Sequence, residues 1–560
     1  MLGAALALTL CGAVAAEPVS VAGEHLYHQG QLASGQPLLG QRTGQPPLQG
    51  RDAACAQCHG RSGLGTVEGR IVVPPITGRF LFHPGERIAP QNPGHADATH
   101  LPPTPRDRAA YDEETLARVI REGIGADGRP LDYLMPRFDL DDASMRELTA
   151  YLRHLSSGRV PGVTDITIHF ATIITPDADP VARDGMLKVI EQYFSDKNGF
   201  YQGGSDVPLP AGARGIRLRT RRQWQLHVWR LAGAPQTWQA QLDQHLRAEP
   251  VFAVISGLGG ATWEPVHRFC ERQAIPCLLP NADLPVVAPG DFYSVYFSQG
   301  VLLEAQLVAQ RIGQPDAGQA ASSRIVQVFR EDDIGAAAAA RLRQALPNGA
   351  VLVDRALGHA DGPHELARAL AQATRGDVVV LWLRGADLAA LPTPTAAIPA
   401  VYVSGLMGGL EHAPLAPAWR SLARITYPYE LPETRSLRMN YPLGWFHLHQ
   451  IPVVAERVQV DTYVACSVLV DALASMLDEF VRDYLVERVE GMLDSRIING
   501  YYTRLGLAPG QRFASKGGYL VRFVEPTGVK VAADGGWIVP WSSEIGDIRT
   551  GDRGTETSGH

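Results

Sequence analysis

The five residues Cys55-Ala-Gln-Cys58-His59 constrain this chain more than any other feature. Two thiols three residues apart can form thioethers with the two vinyl groups on one edge of a porphyrin, and the next imidazole can coordinate the iron. The pattern is typical of covalent haem attachment. A zinc site would need a second Cys or His pair nearby, and a redox motif of the thioredoxin type would open a helix after a strand. Because neither context is present, we expect one covalently attached haem c with His59 as an axial ligand.

A methionine in a loop is the expected second axial ligand. Met135 is followed by Pro136 and lies between two stretches with helical periodicity, residues 111–123 and 141–155. Such a loop can present a thioether to the open face of the iron, and His and Met ligation raises the reduction potential. Met145, in contrast, is expected to fill the core. If Met135 does not bind the iron, the alternative ligands are His83, His95 and His100.

Length and charge bound the remaining possibilities. The 560 residues suggest three or four folding units, and 45% hydrophobic residues are typical of a globular protein. A net charge of -7 offers no basic surplus for phosphates, so nucleic acid is not an expected partner. Residues 1–16, an apolar run ending in small residues, predict a secretory signal and a periplasmic location. No later apolar stretch predicts a stable membrane span.

The pattern of the chain changes at residues 161–164, which we interpret as a linker after a first domain at residues 17–160. From 165 to 541, short β-branched runs alternate with helical stretches, which predicts an α/β fold with parallel sheets covered on both faces. Two sheets are expected, with crossovers near 301–323 and near 434–461. A long helix is predicted over 461–497 with Asp461 as its cap, and residues 542–560 form an expected frayed tail.

The first domain resembles class I cytochrome c, an all-α family, over residues 17 to about 158. Gly23 and Tyr27 match small and aromatic positions on that family's first helix, and Tyr151-Leu152 matches the last helix that crosses it. A small residue at position 23 would allow the two helices to approach closely. The chain departs from the compact family pattern by a Pro-rich insertion at about Val72 to Arg108. The resemblance implies one-electron transfer through an exposed haem edge.

The second half, residues 165 to about 540, resembles the two-lobed type I periplasmic solute-binding proteins by its pattern of elements. In that family, ligands meet loops at the carboxyl ends of strands. The loop from Ser256 to Thr262 has hydroxyls and backbone N–H groups that could hold a carboxylate; alternatively, its glycines only permit a tight turn. The expected ligand-binding residues are Ser256, Gly257, Thr262, Asn281, Asp283, Asp332 and Arg384.

Two further pairs of residues, one of cysteines and one of histidines, are expected to have structural roles. Cys270 and Cys277 span a helix end and the start of a strand, where a local disulfide is reasonable in an oxidising compartment, the alternative being two buried thiols. His447 and His449 would share one face of a strand, although a pair without a third ligand is more often structural than metal-binding.

The sequence predicts an electron carrier more than an enzyme. The haem would exchange single electrons with a redox partner, such as a periplasmic dehydrogenase or oxidase, while the second half docks that partner or binds a small ligand. One alternative is a solute-binding protein of a transporter or sensor, whose haem is a redox gate. Another is a haem oxidoreductase that uses an opened distal site.

Overall fold

The computed structural model describes residues 20–68, 71–85, 108–202, 222–313, 324–347, 349–374, 376–394, 398, 400–476, 479–502, 504–508 and 510–540. The chain forms two compact units. Unit 1 contains Met1–Val160 together with Ser475–Glu487, and unit 2 contains Pro161–Ala474 together with Arg488–His560. The predicted signal at residues 1–16, the predicted tail at 542–560, and the alternative ligands His95 and His100 lie outside the described residues.

Unit 1 is built mainly from helices around one apolar core. Short strands accompany them: β1 and β2 pair antiparallel, β5 pairs with the other edge of β1, and β3 and β4 form a hairpin. The helices are Val21–Gln29, Ala56–His59, Gly78–Leu81, Glu113–Glu122 and Asp142–His154. The strands are β1 (Leu39–Gln41), β2 (Leu48–Gln49), β3 (Thr66–Glu68), β4 (Ile71–Val73) and β5 (Arg137–Phe138).

The first and last long helices of unit 1 cross at a glycine, as the sequence predicts. A Cβ at Gly23 would lie 2.2 Å from the carbonyl oxygen of Glu147 and 2.7 Å from the Cβ of Tyr151. Beside this contact, the rings of Tyr27 and Tyr151 are 5.4 Å apart, and both side chains are buried. Only glycine allows the two backbones to approach this closely, so position 23 fixes the crossing.

The two helices that flank Met135 begin at acidic caps. The Asp112 carboxylate accepts a hydrogen bond from the backbone N–H of Thr115 at 2.8 Å. The Asp141 carboxylate accepts one from Ser144 at 2.7 Å. These bonds satisfy N–H groups that have no partner inside a helix, which explains why both helices start where the sequence predicts.

The first sheet of unit 2 is parallel throughout, in the order β10-β9-β8-β6-β7. Its strands are β6 (Thr167–Ile174), β7 (Gln223–Arg230), β8 (Ala253–Ile255), β9 (Cys277–Leu278) and β10 (Ser294–Val295). Its helices are Pro180–Gln202, Trp238–Ala248 and Glu264–Arg272. All residues of β8, β9 and β10 are buried, as expected for strands covered on both faces.

The second sheet has the order β12-β11-β13-β14-β15-β16-β17, and only β16 and β17 are antiparallel to their neighbours. Its strands are β11 (Ile325–Arg330), β12 (Leu352–Leu357), β13 (Val378–Trp382), β14 (Ala400–Val403), β15 (Ala423–Tyr427), β16 (Tyr519–Phe523) and β17 (Val531–Ala533). The helices from Val301 onward along the chain are Val301–Gly313, Ile334–Ala345, Pro363–Ala371, Gly385–Ala389, Gly405–Gly408, Pro417–Arg420, Pro432–Leu448, Glu456–Met476 and Arg482–Leu493. The α/β prediction with two mainly parallel sheets is therefore confirmed.

The single long helix predicted over 461–497 is wrong. The structure has one helix over Glu456–Met476 and another over Arg482–Leu493, and residues 479–481 between them are not helical. Asp461 is not a cap, because it lies in the second turn of the first of these helices. The segment Ser475–Glu487, which lies inside this region, belongs to unit 1, whereas the sequence predicted that it is part of the second domain.

One helix among the described residues is long and apolar enough to cross a membrane, Glu456–Met476. Most of its apolar stretch, 78%, is buried inside the protein. A core helix has the same composition as a spanning one, so this match alone is weak evidence for a membrane span.

Candidate functional site

A single turn of helix carries the C-x-x-C-H residues. The backbone N–H of His59 donates to the carbonyl oxygen of Cys55 at 2.9 Å, and that of Cys58 donates to the same oxygen at 3.2 Å. The Cys55 side chain is partly buried and packs against the core of unit 1, whereas Cys58 is exposed. Burial raises the pKa of the Cys55 thiol to about 12. The turn thus brings both sulfurs and one imidazole to one place.

The His59 imidazole is oriented by a backbone carbonyl. Its Nδ1 lies 2.9 Å from the carbonyl oxygen of Pro74, and the side chain is buried. Burial lowers the pKa of His59 to about 4, so the ring is neutral at physiological pH. A neutral ring that donates from Nδ1 carries its lone pair on Nε2, and this is the form that coordinates metals.

The loop after His59 depends on three glycines with positive φ. Gly60, Gly63 and Gly65 have φ values of 75°, 71° and 73°. The Gly65 N–H donates to the carbonyl oxygen of His59 at 3.0 Å, and the Ile76 N–H donates to that of Gly63 at 2.8 Å. These bonds connect the segment that contains Pro74 to the segment that contains His59, which fixes the carbonyl that orients the imidazole.

Met135 lies where the sequence predicts, in the bend before β5. Its side chain is partly buried and packs against the core of unit 1, the same cluster that Cys55 contacts. Its carbonyl oxygen accepts a hydrogen bond from the Arg137 guanidinium. Met145 is buried within that core, as expected for a packing residue. His83, the alternative ligand inside the described residues, is exposed.

These residues fit a covalently bound haem. Two cysteines on one turn could supply the thioether sulfurs, and the neutral ring of His59 could supply an imidazole nitrogen in the coordinating tautomer. A partly buried thioether, Met135, packs on the same apolar core and is the candidate for a second protein ligand of the iron.

A second polar cluster lies in unit 2, at the ends of β8 and β9. The Ser256 and Thr462 hydroxyls are 3.1 Å apart, and the Asn281 amide donates to both, at 3.2 and 3.3 Å. All three side chains are buried. The Asp283 carboxylate accepts a hydrogen bond from the Arg457 guanidinium at 3.1 Å. The structure thus brings together three of the predicted ligand-binding residues, Ser256, Asn281 and Asp283.

Beside these groups is a narrow cavity with room for about one water molecule. Asp461 lines it and is 1% exposed, and neither of its carboxylate oxygens has a hydrogen-bond partner in the described structure. The amide oxygen of Asn281 is likewise without a partner. Burial raises the pKa of Asp461 to about 7. The residues around the cavity are Pro280, Asn281, Ala282, Asp283, Phe297, Ser298, Gly300, Leu406, Tyr429, Arg457, Asp461 and Tyr502.

A protein-family model described as Cytochrome c matches residues 51–156, which include the C-x-x-C-H turn, Pro74 and Met135. Residues 51–156 form a cytochrome c domain. Proteins of this family carry covalently bound haem c, and the cytochrome c domain here contains the thiols and the imidazole for it. No curated protein sequence matches the chain.

Several solved structures resemble the chain over about two thirds of its length. A fatty acid ABC transporter substrate-binding protein from Thermomonospora curvata is 15% identical, with a TM-score of 0.46, over 68% of this chain and 95% of that one. A branched-chain amino acid ABC transporter protein from Thermus thermophilus, with bound valine, is 11% identical, with a TM-score of 0.47, over 67% and 97%. A substrate-binding protein from Aeropyrum pernix is 14% identical, with a TM-score of 0.47, over 68% and 97%.

The glycine-rich loop predicted to hold a ligand carboxylate already binds one from the protein itself. The Ala261 N–H donates to the Asp177 carboxylate at 2.7 Å, and the Gly260 N–H donates to the Thr175 hydroxyl at 2.9 Å. Thr262 accepts a hydrogen bond from the Glu264 N–H at 3.3 Å. Gly257 takes a φ of 115°. Neither Gly257 nor Thr262 lines the cavity around Asp461.

The predicted residues near the second sheet are engaged in ion pairs. Arg384 makes a bidentate pair with Asp333, at 2.6 and 2.7 Å. The Oδ2 atom of Asp332 lies 2.5 Å from Nδ1 of His359. Asp332 and Arg384 are thus both engaged in ion pairs, and neither lines the cavity. The structure therefore does not bring them into the cluster formed by Asn281 and Asp283.

Two smaller expectations need correction. The structure holds Cys270 and Cys277 as separate thiols, both fully buried in one apolar core of unit 2, where each packs as a small hydrophobic side chain. His447 does not lie on a strand, since the helix Pro432–Leu448 includes it. His449 follows that helix and lies 2.9 Å from the Asp196 carboxylate.

Arg457 and Asp461 line the cavity, although neither was predicted as a ligand-binding residue. Both lie on the helix Glu456–Met476, four residues apart, with Arg457 Nη1 3.8 Å from Asp461 Oδ2. A charged pair at this spacing within a largely apolar helix was the available signal, because burying such charges is costly without a specific partner.

Proposed function

We propose that this protein is a monohaem c-type electron carrier in which Cys55, Cys58 and His59 hold haem c and Met135 completes the coordination. The observation that carries the proposal is the hydrogen bond from His59 Nδ1 to the Pro74 carbonyl oxygen, within a matched cytochrome c domain. A buried, neutral and oriented imidazole directly after two cysteines has a clear use as an iron ligand.

The protein residues each have a defined task in this proposal. The two cysteines anchor the group covalently, the Pro74 carbonyl holds His59 in one tautomer, and Met135 offers a thioether. Haem c, when bound, supplies one-electron exchange at its iron. Two persistent protein ligands leave no open position for a substrate, which favours electron transfer over an oxidoreductase reaction.

We infer a periplasmic location and a protein redox partner, such as a dehydrogenase or an oxidase. The apolar run at residues 1–16 supports export. Covalent attachment of haem to Cys55 and Cys58 is consistent with an exported protein. Partner identity can be tested at low and high ionic strength in two ways: haem reduction is followed when the oxidised protein is mixed with a purified periplasmic dehydrogenase and its substrate, and haem oxidation is followed when the reduced protein is mixed with a purified oxidase.

The haem assignment is tested by producing the full chain in a host that matures c-type cytochromes. We expect a coloured protein whose haem stays attached after denaturation and whose mass exceeds that of the polypeptide by one haem. Replacing both Cys55 and Cys58 by Ala should remove the covalent haem, whereas Cys466→Ala, a buried cysteine of unit 2, should retain it. A colourless parent protein would overturn the proposal.

A specific observation also favours solute binding by unit 2. The three polar atoms without partners at the cavity, two on Asp461 and one on Asn281, are all hydrogen-bond acceptors. Buried acceptors without donors are unfavourable, so the site is complementary to a hydrogen-bond donor of about the size of one water molecule, such as an ammonium ion.

Thermal unfolding with added ligands tests this second function, since a ligand that binds the native state raises the melting temperature. Ammonium matches the size of the cavity, and primary amines, small amides and alcohols serve as larger comparison compounds. We expect ammonium to stabilise the parent chain and to lose its effect in Asp461→Asn. The exposed carboxylate of Asp142 provides a control, because Asp142→Asn should respond like the parent. No shift with any compound would reject solute binding of this class.

A further inference from the structure

The segment Ser475–Glu487 belongs to unit 1, although more than 300 residues separate it from the rest of that unit. Glu487 connects this segment to the loop that follows His59. The backbone N–H of Ser62 donates to Glu487 Oε1 at 3.0 Å, and the Ser62 hydroxyl donates to Oε2 at 2.6 Å. Ser62 is fully buried. Both oxygens of one carboxylate are therefore used on one residue of the loop that follows His59.

Glycine at position 60 makes room for this carboxylate. A Cβ at Gly60 would lie 2.8 Å from both Glu487 oxygens, a distance that real Cβ contacts do not reach. The carbonyl oxygen of Gly60 accepts a hydrogen bond from the Tyr27 hydroxyl at 2.7 Å. On the other side, the Ser156 hydroxyl donates to the carbonyl oxygen of Ser62 at 2.7 Å. The loop is thus fixed from several sides, and Glu487 is its charged contact.

The contact between Glu487 and Ser62 lies close in sequence to His59, the proposed iron ligand. Ser62 is three positions after His59 in the sequence, so their Cα atoms are at most about 11 Å apart. The same loop returns to His59 through the bond from the Gly65 N–H to the His59 carbonyl oxygen. A change at Ser62 therefore reaches the backbone of the iron ligand within one short loop.

The carboxylate also brings charge to this side of the site. Burial raises the pKa of Glu487 to about 7, while its bonds to Ser62 favour the ionised form and the nearby Asp483 opposes it. Above this pH the group is an anion. A fixed negative charge near the iron stabilises its oxidised state relative to its reduced state, because the oxidised iron is more positive. The partial burial of the carboxylate weakens the screening of this charge by salt.

We propose that Glu487 is a positioning residue of the haem site, which holds the loop after His59 and lowers the reduction potential of the iron. This inference rests on the proposed haem function. It assigns part of that site to a segment that the C-x-x-C-H motif and the family match at residues 51–156 do not include.

The test compares two substitutions in the same segment of the full-length holoprotein. Glu487→Gln keeps the size of the side chain and removes its charge, whereas Glu479→Gln removes a carboxylate that pairs with Arg79 near the surface. At pH 8 we expect a more positive midpoint potential for Glu487→Gln and the parent value for Glu479→Gln. Equal potentials for Glu487→Gln and the parent would overturn the proposal.

A second measurement follows stability instead of potential. In the full-length holoprotein, Ser62→Ala and Glu487→Gln should each lower the melting temperature, and the double variant should lose less than the sum of both losses because they remove one contact. Additive losses would contradict the positioning role. If Glu487→Gln does not fold, Glu487→Asp, which keeps the charge, replaces it and should retain a potential nearer to the parent value. Absence of covalent haem in the parent would instead reject the proposed function.

Discussion

The carboxylate of Asp461 lies 3.8 Å from the guanidinium of Arg457, and neither of its oxygens accepts a hydrogen bond among the described residues. Arg457 directs its hydrogen bond to Asp283 instead, at 3.1 Å. A buried carboxylate in this position is stabilised by a nearby charge but lacks the donors that normally accompany one. This arrangement gives the protein a titratable group in the interior of unit 2.

Asp461 should make the stability of the protein depend on pH. Burial raises its pKa to about 7 in the folded state, above the ordinary value of 3.8. The folded state therefore binds more protons than the unfolded state between these values, so this contribution to stability is full below about pH 4 and is lost as the pH rises through about 7. Melting temperatures from pH 4 to 8 should fall less steeply for Asp461→Asn than for the parent.

A buried carboxyl with satisfied hydrogen bonds serves as the comparison for Asp461. Glu304 accepts bonds from Ser404, Leu406 and Thr426, and burial raises its pKa to about 7 as well. Glu304→Gln should also flatten the pH profile, but at a larger loss of stability, since it disturbs these bonds. A profile for Asp461→Asn that parallels the parent would show that Asp461 does not titrate in this range.

Met135→Ala should lower the reduction potential of the holoprotein, because thioether ligation raises it. The sulfur-to-iron charge-transfer band of the oxidised protein should disappear in the same variant. Met145→Leu, a volume-conserving change in the core, is the control and should keep both properties. An unchanged potential in Met135→Ala would mean that another residue binds the iron. A parent protein that lacks the band would favour an open distal site.

Gly23→Ala should destabilise unit 1 by about 1–3 kcal/mol or more, because the added Cβ would lie 2.2 Å from the Glu147 carbonyl oxygen. Gly444→Ala is a matched control in a helix, since nothing lies within 4 Å of a Cβ at that position. The control should be neutral or stabilising by about 0.5–1 kcal/mol. Chemical denaturation of both variants measures the difference, and equal effects would contradict a tight helix crossing.

Asp177→Ala should lower stability by about 1 kcal/mol, since it removes the acceptor of the Ala261 N–H. It should also expose that N–H group to an added anion. We therefore expect acetate to raise the melting temperature of Asp177→Ala more than that of the parent. Asp184→Ala, which removes an exposed carboxylate that pairs with the neighbouring Arg183, should show no such gain. Equal responses to acetate would show that the loop does not bind carboxylates.

The C-x-x-C-H turn and the helix crossing could be predicted because their information is local. The C-x-x-C-H spacing needs only five consecutive residues, and Gly23 can be recognised from its position relative to Tyr27. The alternation of strands and helices likewise reports burial on both faces, which the parallel sheets of unit 2 confirm.

The partners of buried charges could not be predicted in this way. The loop at Ser256 to Thr262 has the composition of an anion site, yet its anion is supplied by Asp177, more than 80 residues earlier in the chain. The sequence around Asp461 predicts a helix cap. In the structure the helix begins five residues earlier, at Glu456, and tertiary packing buries Asp461. Pairings of this kind depend on the fold as a whole, because periodicity along the chain carries no information about which distant group faces which.

The discontinuity of unit 1 has a consequence for biosynthesis. During translation, the C-x-x-C-H cysteines emerge more than 400 residues before Glu487, the residue that bonds to Ser62. Any haem attached to the nascent chain would meet a loop still lacking that contact, and only a completed polypeptide can supply it. A truncated protein that ends at residue 160 would lack the contact between Glu487 and Ser62. Its cysteines would therefore be in the environment of the incomplete chain and not in that of the finished protein.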